Sequence, residues 1–298
     1  MSRYRFVSTM KAEGFPIQAA CEAAEVSASA YYDWLAKTAG GPTDAEWDEA
    51  ILINEMIDVH RHLDDTYGSP RMTTELRRRG HCVNHKRTER LMAENAIYAK
   101  DGRRKKVRTT IPDVSAPPLP DLVKRDFSVG APGERTCGDI TYIPTDEGWL
   151  YLADVLDLGS RRVVGFAMDA RMPWKLVASA LEMAIAARGG DVTDMVFHHD
   201  RGAQYLSRDF RALCAKHHVV QSVGRIGSSQ DNAVSESFWA SLKRELVSRC
   251  RFSTRADARR AIVAWINHYN AVRLHSTLGN VPPIEWELRF ARRQLLAA

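Results

Sequence analysis

The chain has 298 residues, and its 42 lysines and arginines outnumber its 37 aspartates and glutamates, which gives a sequence pI near 9.0. This length allows a sizeable core and more than one domain, and the basic charge suits a partner with a phosphate backbone. The sequence has no run of about 18 apolar residues and no signal peptide, so we expect a soluble, cytoplasmic protein without a membrane span. Its five scattered cysteines include no Cys-x-x-Cys pair, which argues against a disulfide framework and against a zinc knuckle.

The first segment, residues 1–42, shows two short helical patterns separated by a turn. Ser27 or Ser29 can cap the second helix, which runs through Leu35. This outline fits a helix-turn-helix, whose second helix would enter the major groove of DNA, and it fits a plain helical hairpin equally well. The apolar positions of the first helix are Ile17, Ala20, Cys21 and Ala24.

A second helical segment covers residues 43–100 and follows a Gly-Gly-Pro-Thr break. One helix runs through Ile51 to His60, a second ends at Gly80, and a third begins near Asn84. The third helix carries basic residues on its exposed side, which either are simply solvated or contact phosphates. We expect DNA contacts there from Lys86, Arg87 and Arg90.

Residues 101–120 are predicted to form a linker, because a basic block is followed by a proline-rich extended stretch. A larger domain, residues 121–250, comes next, and a helical tail occupies residues 251–298. Pro173 is expected to begin a helix in the larger domain. Strand-like runs lie at 139–143, 150–156, 162–168, 195–197 and 219–220.

Three carboxylates stand in separate elements of this larger domain. Asp139 lies in Asp-Ile-Thr-Tyr-Ile, Asp200 in His-Asp-Arg-Gly-Ala-Gln-Tyr, and Glu236 in Asp-Asn-Ala-Val-Ser-Glu-Ser-Phe. Between the second and the third acid lie 35 residues, and Lys243 follows the third by seven positions. A few carboxylates, with water and phosphate oxygens, are the ligands of Mg²⁺ in proteins. Because a pair of such ions can clamp both reacting oxygens of an in-line displacement, the three acids predict phosphodiester chemistry.

The helix around Glu236 is predicted to be amphipathic. Its polar side carries Asn232, Glu236 and Lys243, which either are merely solvated or contact metal and DNA. The acids elsewhere in the chain favour the second alternative. The apolar stripe, spaced by four, consists of Val234, Phe238, Leu242 and Leu246.

These motifs resemble those of the integrase-core transposases of bacterial insertion sequences, which are related to retroviral integrases. The resemblance extends to Tyr-Gly-x-x-Arg at Tyr67 and to Tyr-Asn-x-x-Arg-x-His-x-x-Leu-Gly at Tyr269, so it covers most of the chain. It implies an α/β core, a ribonuclease-H-like mixed five-stranded sheet with flanking helices, preceded by all-α helix-turn-helix segments. In that fold the strands that carry Asp139 and Asp200 are neighbours, and the last helix of the core brings Glu236 over them.

The resemblance also implies a mechanism. Two Mg²⁺ or Mn²⁺ ions held by Asp139, Asp200 and Glu236, the catalytic residues, would activate water to nick an element end and then align the freed 3′-hydroxyl for strand transfer. Lys243 would bind the terminal phosphate as a point charge. His199 is expected to be a metal neighbour, a proton carrier or a buried structural residue. The remaining expected DNA contacts are Gln204, Tyr205 and Arg273, the last of which lies in a tail that binds DNA or braces the core.

The expected partners are double-stranded DNA, both the terminal repeats and the target, and a further copy of the chain on DNA, in the cytoplasm at the nucleoid. Whether a product of an upstream reading frame is also needed stays open.

Two other functions are alternatives: a non-catalytic helix-turn-helix regulator and a nuclease of the same fold. Two positions depart from the family pattern, since Thr136 replaces a common Trp and Ala203 a common Ser. No zinc is expected at His60, His62, Cys82 and His85.

Overall fold

The structure, a computed structural model, describes residues 3–100, 119–224 and 233–297. Most of the predicted linker and Asn232 lie outside the described residues. The chain divides into two compact units, Met1–Ala99 and Lys100–Ala298. The boundaries of the five segments given above stay predictions. No helix in the described ranges is long and apolar enough to cross a membrane.

The first unit is helical throughout, and its first three helices share one small core. Val7, Cys21 and Tyr31 are buried together, and Trp34 stacks on Tyr4 with ring centroids 5.6 Å apart. Ser27 caps the third helix, because its hydroxyl accepts a hydrogen bond from the amide of Ala30. The described helices are α1 (Arg3–Ala12), α2 (Ile17–Ala23), α3 (Ala28–Ala39), α4 (Asp44–His62), α5 (Ser69–Arg78) and α6 (His85–Glu94).

Helices α4, α5 and α6 pack against one another in the same unit. Thr43 and Glu46 form a capping box at the start of α4. The side chain of Asn84 accepts from the amide of Arg87 at 2.8 Å and so begins α6 where the sequence predicted. The fully buried side chains of these three helices include Met56, Met72, Leu76 and Leu91.

The second unit is built on one mixed sheet. Its strands are β1 (Arg135–Gly138), β2 (Ile140–Thr145), β3 (Gly148–Asp157), β4 (Val163–Asp169), β5 (Val196–His199) and β6 (Val220–Val223). Strands β1 and β2 both pair antiparallel with β3 and are separated only by Asp139. Taken as one interrupted strand, they give a five-stranded sheet in which β4 pairs with β3, β1 pairs in parallel with β5, and β5 pairs in parallel with β6. The predicted ribonuclease-H-like sheet is thereby confirmed.

Helices cover the sheet through two apolar cores. Leu181 and Ala184 of α7 pack with Val155 and Val164, whereas Phe238 of α10 packs on the other set of strand side chains. As predicted, α7 follows Pro173 directly. The helices are α7 (Trp174–Ala187), α8 (Ala203–Leu206), α9 (Arg208–Lys216), α10 (Ala233–Leu242), α11 (Arg255–Ala271) and α12 (Pro283–Ala297), with a π turn at Lys243–Val247 and a 3₁₀ turn at Ser276–Leu278.

The C-terminal tail belongs to the same compact unit as the sheet. The side-chain amide of Asn270 on α11 pairs with both the N–H and the carbonyl of Val163, at 2.9 Å each. Glu287 on α12 binds Arg188, which also binds the buried Asp157, with 2.7 Å at both contacts. The tail therefore braces the core.

Sheet and helix approach each other closely at Gly165, where a methyl group would come within 2.1 Å of the carbonyl oxygen of Ala180 on α7. We expect Gly165→Ala to lower the free energy of unfolding by at least about 2 kcal/mol, because α7 must move away. Urea unfolding measures this loss. Gly130→Ala is the control, since its methyl group would meet only Arg135 at 4.0 Å, and an equal effect of the two variants would contradict this packing.

Candidate active site

Asp139 and Asp200 directly follow two neighbouring parallel strands. Strand β1 pairs with β5 so that Gly138 lies opposite His199. The next residue of each chain segment is one of the two acids, so both carboxylates lie at the same end of the sheet. The sequence predicted this neighbourhood only through the resemblance.

Asp139 is held from three sides. Its Oδ1 accepts from the amide of Ile140 at 2.8 Å, its Oδ2 accepts from Nε1 of Trp239 at 3.1 Å, and its own amide donates to Oδ1 of Asp154 at 3.0 Å. Burial, followed by the negative charge of Asp200, raises the pKa of Asp139 to about 7, and Glu236 adds to this rise. The three acids thus form one electrostatic group.

Asp200 is fixed by the turn that follows it. Its Oδ1 accepts from the amide of Gly202 at 2.9 Å, and a methyl group on Gly202 would lie 2.9 Å from that same oxygen. A larger residue at position 202 would therefore displace the Asp200 carboxylate from this position. Burial raises the pKa of Asp200 as well.

Glu236 lies exposed in the first turn of α10. This helix contacts the end of β1 through two side chains: Ser235 donates to Sγ of Cys137 at 3.2 Å, and Trp239 donates to Asp139. Trp239 lies one turn beyond Glu236 on the same helix. The helix that carries Glu236 is therefore hydrogen-bonded to Asp139. The predicted apolar stripe of α10 packs into the core, where Val234, Phe238, Leu242 and Leu246 all take part.

The donor set suits a hard divalent cation. All three acids offer carboxylate oxygens, and their mutual repulsion is the kind that a cation relieves. Each oxygen of Asp139 uses one lone pair for a hydrogen bond and keeps another. Within residues 3–100, 119–224 and 233–297, no three His, Cys, Asp or Glu side chains already stand close enough together to form a complete ligand set.

Lys243 lies beside the acids. Its Nζ is 5.3 Å from the centre of the Tyr142 ring. Desolvation lowers the pKa of Lys243, and the charge of Asp139 opposes this shift. The ammonium group is thus close enough to the site to interact with its charge.

His199 is a buried neutral side chain. Its Nδ1 must donate to the carbonyl oxygen of Asp200 at 2.6 Å, and its Nε2 then accepts from Gln221 at 3.1 Å. Burial lowers the pKa of His199 to about 4. Tyr205, also buried, stacks on it at 4.7 Å. Of the three roles considered for His199, these contacts fit the structural one, since both ring nitrogens are used within the protein.

The other expected DNA contacts differ in exposure and in the partners that their side chains already have. Lys86 is exposed, whereas Arg87 and Arg90 both pair with Glu49 of α4, at 3.8 and 2.5 Å. Gln204 donates to the carbonyl of Met172 at 3.2 Å. Tyr205 is fully buried, which keeps its ring away from DNA in this structure.

Arg273 requires a correction. It is only 4% exposed, and its guanidinium binds Glu245 at 2.7 to 3.1 Å and Ser241 at 3.2 Å. A buried guanidinium that already binds a carboxylate cannot present its charge to a phosphate in this structure. The bracing alternative for the tail is the one that these contacts support, and we remove Arg273 from the expected DNA contacts.

Two residues at the site were missed from the sequence. Trp239 is one, and its position three residues after Glu236 was an available signal, since that spacing shares a helix face. Asp154 is the other: it is 1% exposed and its Oδ2 has no hydrogen-bond partner among the described residues. Burial and the charge of Asp139 raise its pKa well above the usual value. A carboxylate inside the apolar run of β3 was the signal.

These pKa shifts predict how stability depends on pH. The pKa of Asp139 is about 7 in the folded chain and near 3.8 in an unfolded one, so the folded state binds more protons between these values. The contribution of Asp139 to stability without metal is therefore fully present at or below about pH 4 and is lost as pH rises toward 7. Asp154 and Asp200 shift stability in the same direction as Asp139, whereas the lowered pKa of His199 shifts it in the opposite direction.

Asp139→Asn should remove the contribution of Asp139, so its stability should decrease less, or increase more, with rising pH than that of wild type. Urea unfolding in EDTA between pH 4.5 and 7.5 measures this difference. The control is Asp48→Asn, which changes an exposed aspartate of α4 in the other unit. The same dependence of stability on pH in wild type and in Asp139→Asn would contradict the raised pKa of Asp139.

Comparison with known proteins gives matches to two family models described as Integrase core domain, at residues 130–229 and 217–283, and to an HTH-like domain at residues 46–106. The chain is 35% identical over 271 residues to the insertion element IS600 uncharacterized 31 kDa protein of Shigella sonnei. That alignment covers 91% of this chain and 98% of that protein. It is 34% identical over 290 residues to the transposase InsF for insertion sequence IS3A of Escherichia coli strain K12, with coverage of 96% and 98%.

Among solved structures, the catalytic core domain of HTLV-2 integrase in complex with magnesium, in a trimeric form, matches with a TM-score of 0.43 and 16% identity, over 53% of this chain and 99% of that chain. The two Integrase core matches include all three acids. Identity of about a third extends over nearly the whole of this chain and of both relatives. The chain therefore belongs to the integrase-core transposases of insertion sequences, enzymes of the Asp-Asp-Glu class.

Proposed function

We propose that this transposase binds the ends of its insertion sequence, nicks the DNA there and joins the freed 3′-hydroxyl to target DNA, with Asp139, Asp200 and Glu236 as its catalytic residues. One observation carries the proposal. Asp139 and Asp200 directly follow neighbouring parallel strands, and the helix that bears Glu236 is hydrogen-bonded to Asp139. The negative charges of Asp200 and Glu236 raise the pKa of Asp139, so holding all three acids ionised together costs free energy. A bound cation, alone or together with a substrate phosphate, would offset that cost.

The three acids would hold two Mg²⁺ or Mn²⁺ ions. Such ions, when bound, supply Lewis acidity to the scissile phosphate and lower the pKa of water. The chain's own groups do the rest: Gly202 and Trp239 fix the orientation of the carboxylates, and Lys243 attracts a phosphate as a point charge. No covalent intermediate with the protein is needed, because water and the 3′-hydroxyl are the nucleophiles.

The DNA contacts would come from both units. In the HTH-like match, α6 offers Lys86. Arg87 becomes available once it exchanges Glu49 for a phosphate, and Arg90 once it exchanges both Glu49 and Glu94. In the core, Gln204 sits two residues after the turn that fixes Asp200 and can position the backbone. Since transposition must pair two element ends, we infer at least a dimer on DNA. A partner from an upstream reading frame remains part of the proposal, to be tested by adding it.

Strand transfer tests this proposal. A labelled duplex that carries the element end is incubated with plasmid, the protein, and Mg²⁺ or Mn²⁺, with and without the upstream-frame product. Joined products are the expected result. Cutting without joining would identify a nuclease instead, and metal-independent binding with neither reaction would identify a regulator.

A further inference from the structure

Two aromatic side chains form a small platform on the hairpin that follows Asp139. The rings of Tyr142 on β2 and Trp149 on β3 meet edge to face, with centroids 4.8 Å apart. Trp149 is 49% exposed, so about half of its surface is open to solvent. We call Tyr142 and Trp149 the hairpin platform.

The hairpin platform lies beside the proposed reaction centre. Tyr142 is three residues beyond Asp139 on an extended strand, a distance of roughly 10 Å. Among the described strands, β2 pairs only with β3, and β5 pairs with β1 and β6 but not with β2. The platform therefore stands at an open sheet edge, just past the point where the strand that precedes Asp200 has ended.

The charges around the platform suit a nucleic acid. The ammonium of Lys243 lies over the Tyr142 ring and interacts electrostatically with Asp139. The two acids of the turn between β2 and β3 are both paired: Asp146 with Arg251 at 3.2 Å, and Glu147 with Arg255 at 3.9 Å. A cation beside an exposed ring, with the nearby acids neutralised, is the combination that binds a phosphate and its base together.

Hairpin stability alone is the other explanation for this aromatic pair, since diagonal cross-strand rings stabilise two-stranded ribbons. In the register of the hairpin, Trp149 faces Pro144 and Tyr142 faces Tyr151, so the pair is diagonal. That explanation accounts for the edge-to-face contact. It does not account for the position of Lys243, which comes from a distant part of the chain.

We propose that the hairpin platform stacks an unpaired base of the reacting DNA end, next to the phosphate that Lys243 holds. This inference rests on the proposed function, because it needs the DNA end at the three acids. The ligand class is a single-stranded or frayed DNA terminus, and the platform accepts any base, since every base has a π face. Fraying of the terminal pairs would expose the scissile phosphate to the acids.

A fluorescent base tests the platform. The probe is a 20-base-pair duplex with a three-nucleotide single-stranded end that contains 2-aminopurine, bound in EDTA so that no strand is cut. Wild type should quench the 2-aminopurine fluorescence. Trp149→Leu, which keeps apolar bulk over Tyr142 but loses the ring, should lose most of the quenching and bind on the order of 10-fold more weakly, whereas Trp149→Phe should retain both.

Salt dependence separates stacking from charge. Trp149→Leu should leave the slope of log K against log salt unchanged, whereas Lys243→Ala should reduce it by about one. Trp47→Ala, which removes a 57% exposed tryptophan from α4 in the other unit, is the matched control and should not change quenching. Equal melting temperatures establish that each variant is folded.

If Trp149→Leu quenched the 2-aminopurine fluorescence as much as wild type, base stacking on the hairpin platform would be excluded. Strand transfer by the wild-type protein, measured in Mg²⁺ on the same duplex end, reports the proposed function separately. If wild type joins DNA but Trp149→Leu and Trp149→Phe quench the 2-aminopurine as much as wild type does, only the stacking proposal is wrong. If wild type neither joins nor quenches, both inferences fail.

Discussion

Glu236→Gln is expected to lower strand transfer by about 10³-fold while the affinity for the DNA end changes little. The substitution keeps the size of the side chain and removes one negative charge from an exposed position in the first turn of α10. Loss of a single well-placed electrostatic group at a reaction centre has this size of effect. The measurement is the rate of joined product in Mg²⁺, alongside an electrophoretic shift of the same duplex.

The stability of the same variant is also informative. Because the charge of Glu236 contributes to the raised pKa of Asp139, removing it should leave the melting temperature without metal unchanged or slightly higher. Glu182→Gln, on the exposed side of α7, makes the same chemical change away from the acids and serves as the control. A Glu236→Gln protein that joins DNA at more than a tenth of the wild-type rate would exclude Glu236 as a catalytic residue.

Arg273→Ala is expected to destabilise the second unit by about 3–5 kcal/mol. The guanidinium of Arg273 makes three contacts of 2.7 to 3.1 Å with Glu245, and both side chains are 5% exposed. Truncation leaves the Glu245 carboxylate buried without its closest counter-charge, which is the costly outcome for a buried pair. Urea unfolding measures the loss.

Arg244→Ala is the matched control, because Arg244 also approaches Glu245, at 3.7 Å, but is 46% exposed. An exposed pair contributes at most about 1 kcal/mol. The double variant Arg273→Met with Glu245→Leu should recover much of the lost stability, since it removes both charges. If Arg273→Ala were as stable as Arg244→Ala and instead bound DNA more weakly, Arg273 would be a DNA contact as first expected.

Local patterns in the sequence predicted most elements of the fold. Pro173 marked the start of α7, Asn84 capped α6, and the four-residue spacing of Val234, Phe238 and Leu242 identified the buried side of α10. These features depend on residues that are close together in the chain, so propensity and periodicity report them directly. Helix α1 was missed because much of its sequence is polar, and packing of Val7 stabilises it.

Contacts between distant residues were out of reach of such patterns. Nothing local indicates that Trp239 donates to Asp139, or that Asp154 receives the amide of Asp139, since each contact depends on how strands and helices are arranged. The neighbourhood of Asp139 and Asp200 came from family resemblance alone. Arg273 was misjudged for the same reason: a basic residue in a polar tail looks like a DNA contact until its buried partner is known.

The most direct test of the metal site is anomalous scattering from crystals of the protein grown with Mn²⁺ and an element-end duplex. We predict Mn²⁺ peaks that contact the carboxylates of Asp139, Asp200 and Glu236, with Trp239 still hydrogen-bonded to Asp139. The Asp139→Asn protein in the same crystals should lose those peaks. Mn²⁺ bound elsewhere, or absent from all three acids while the DNA end lies against them, would contradict the assignment of these residues as the catalytic metal site.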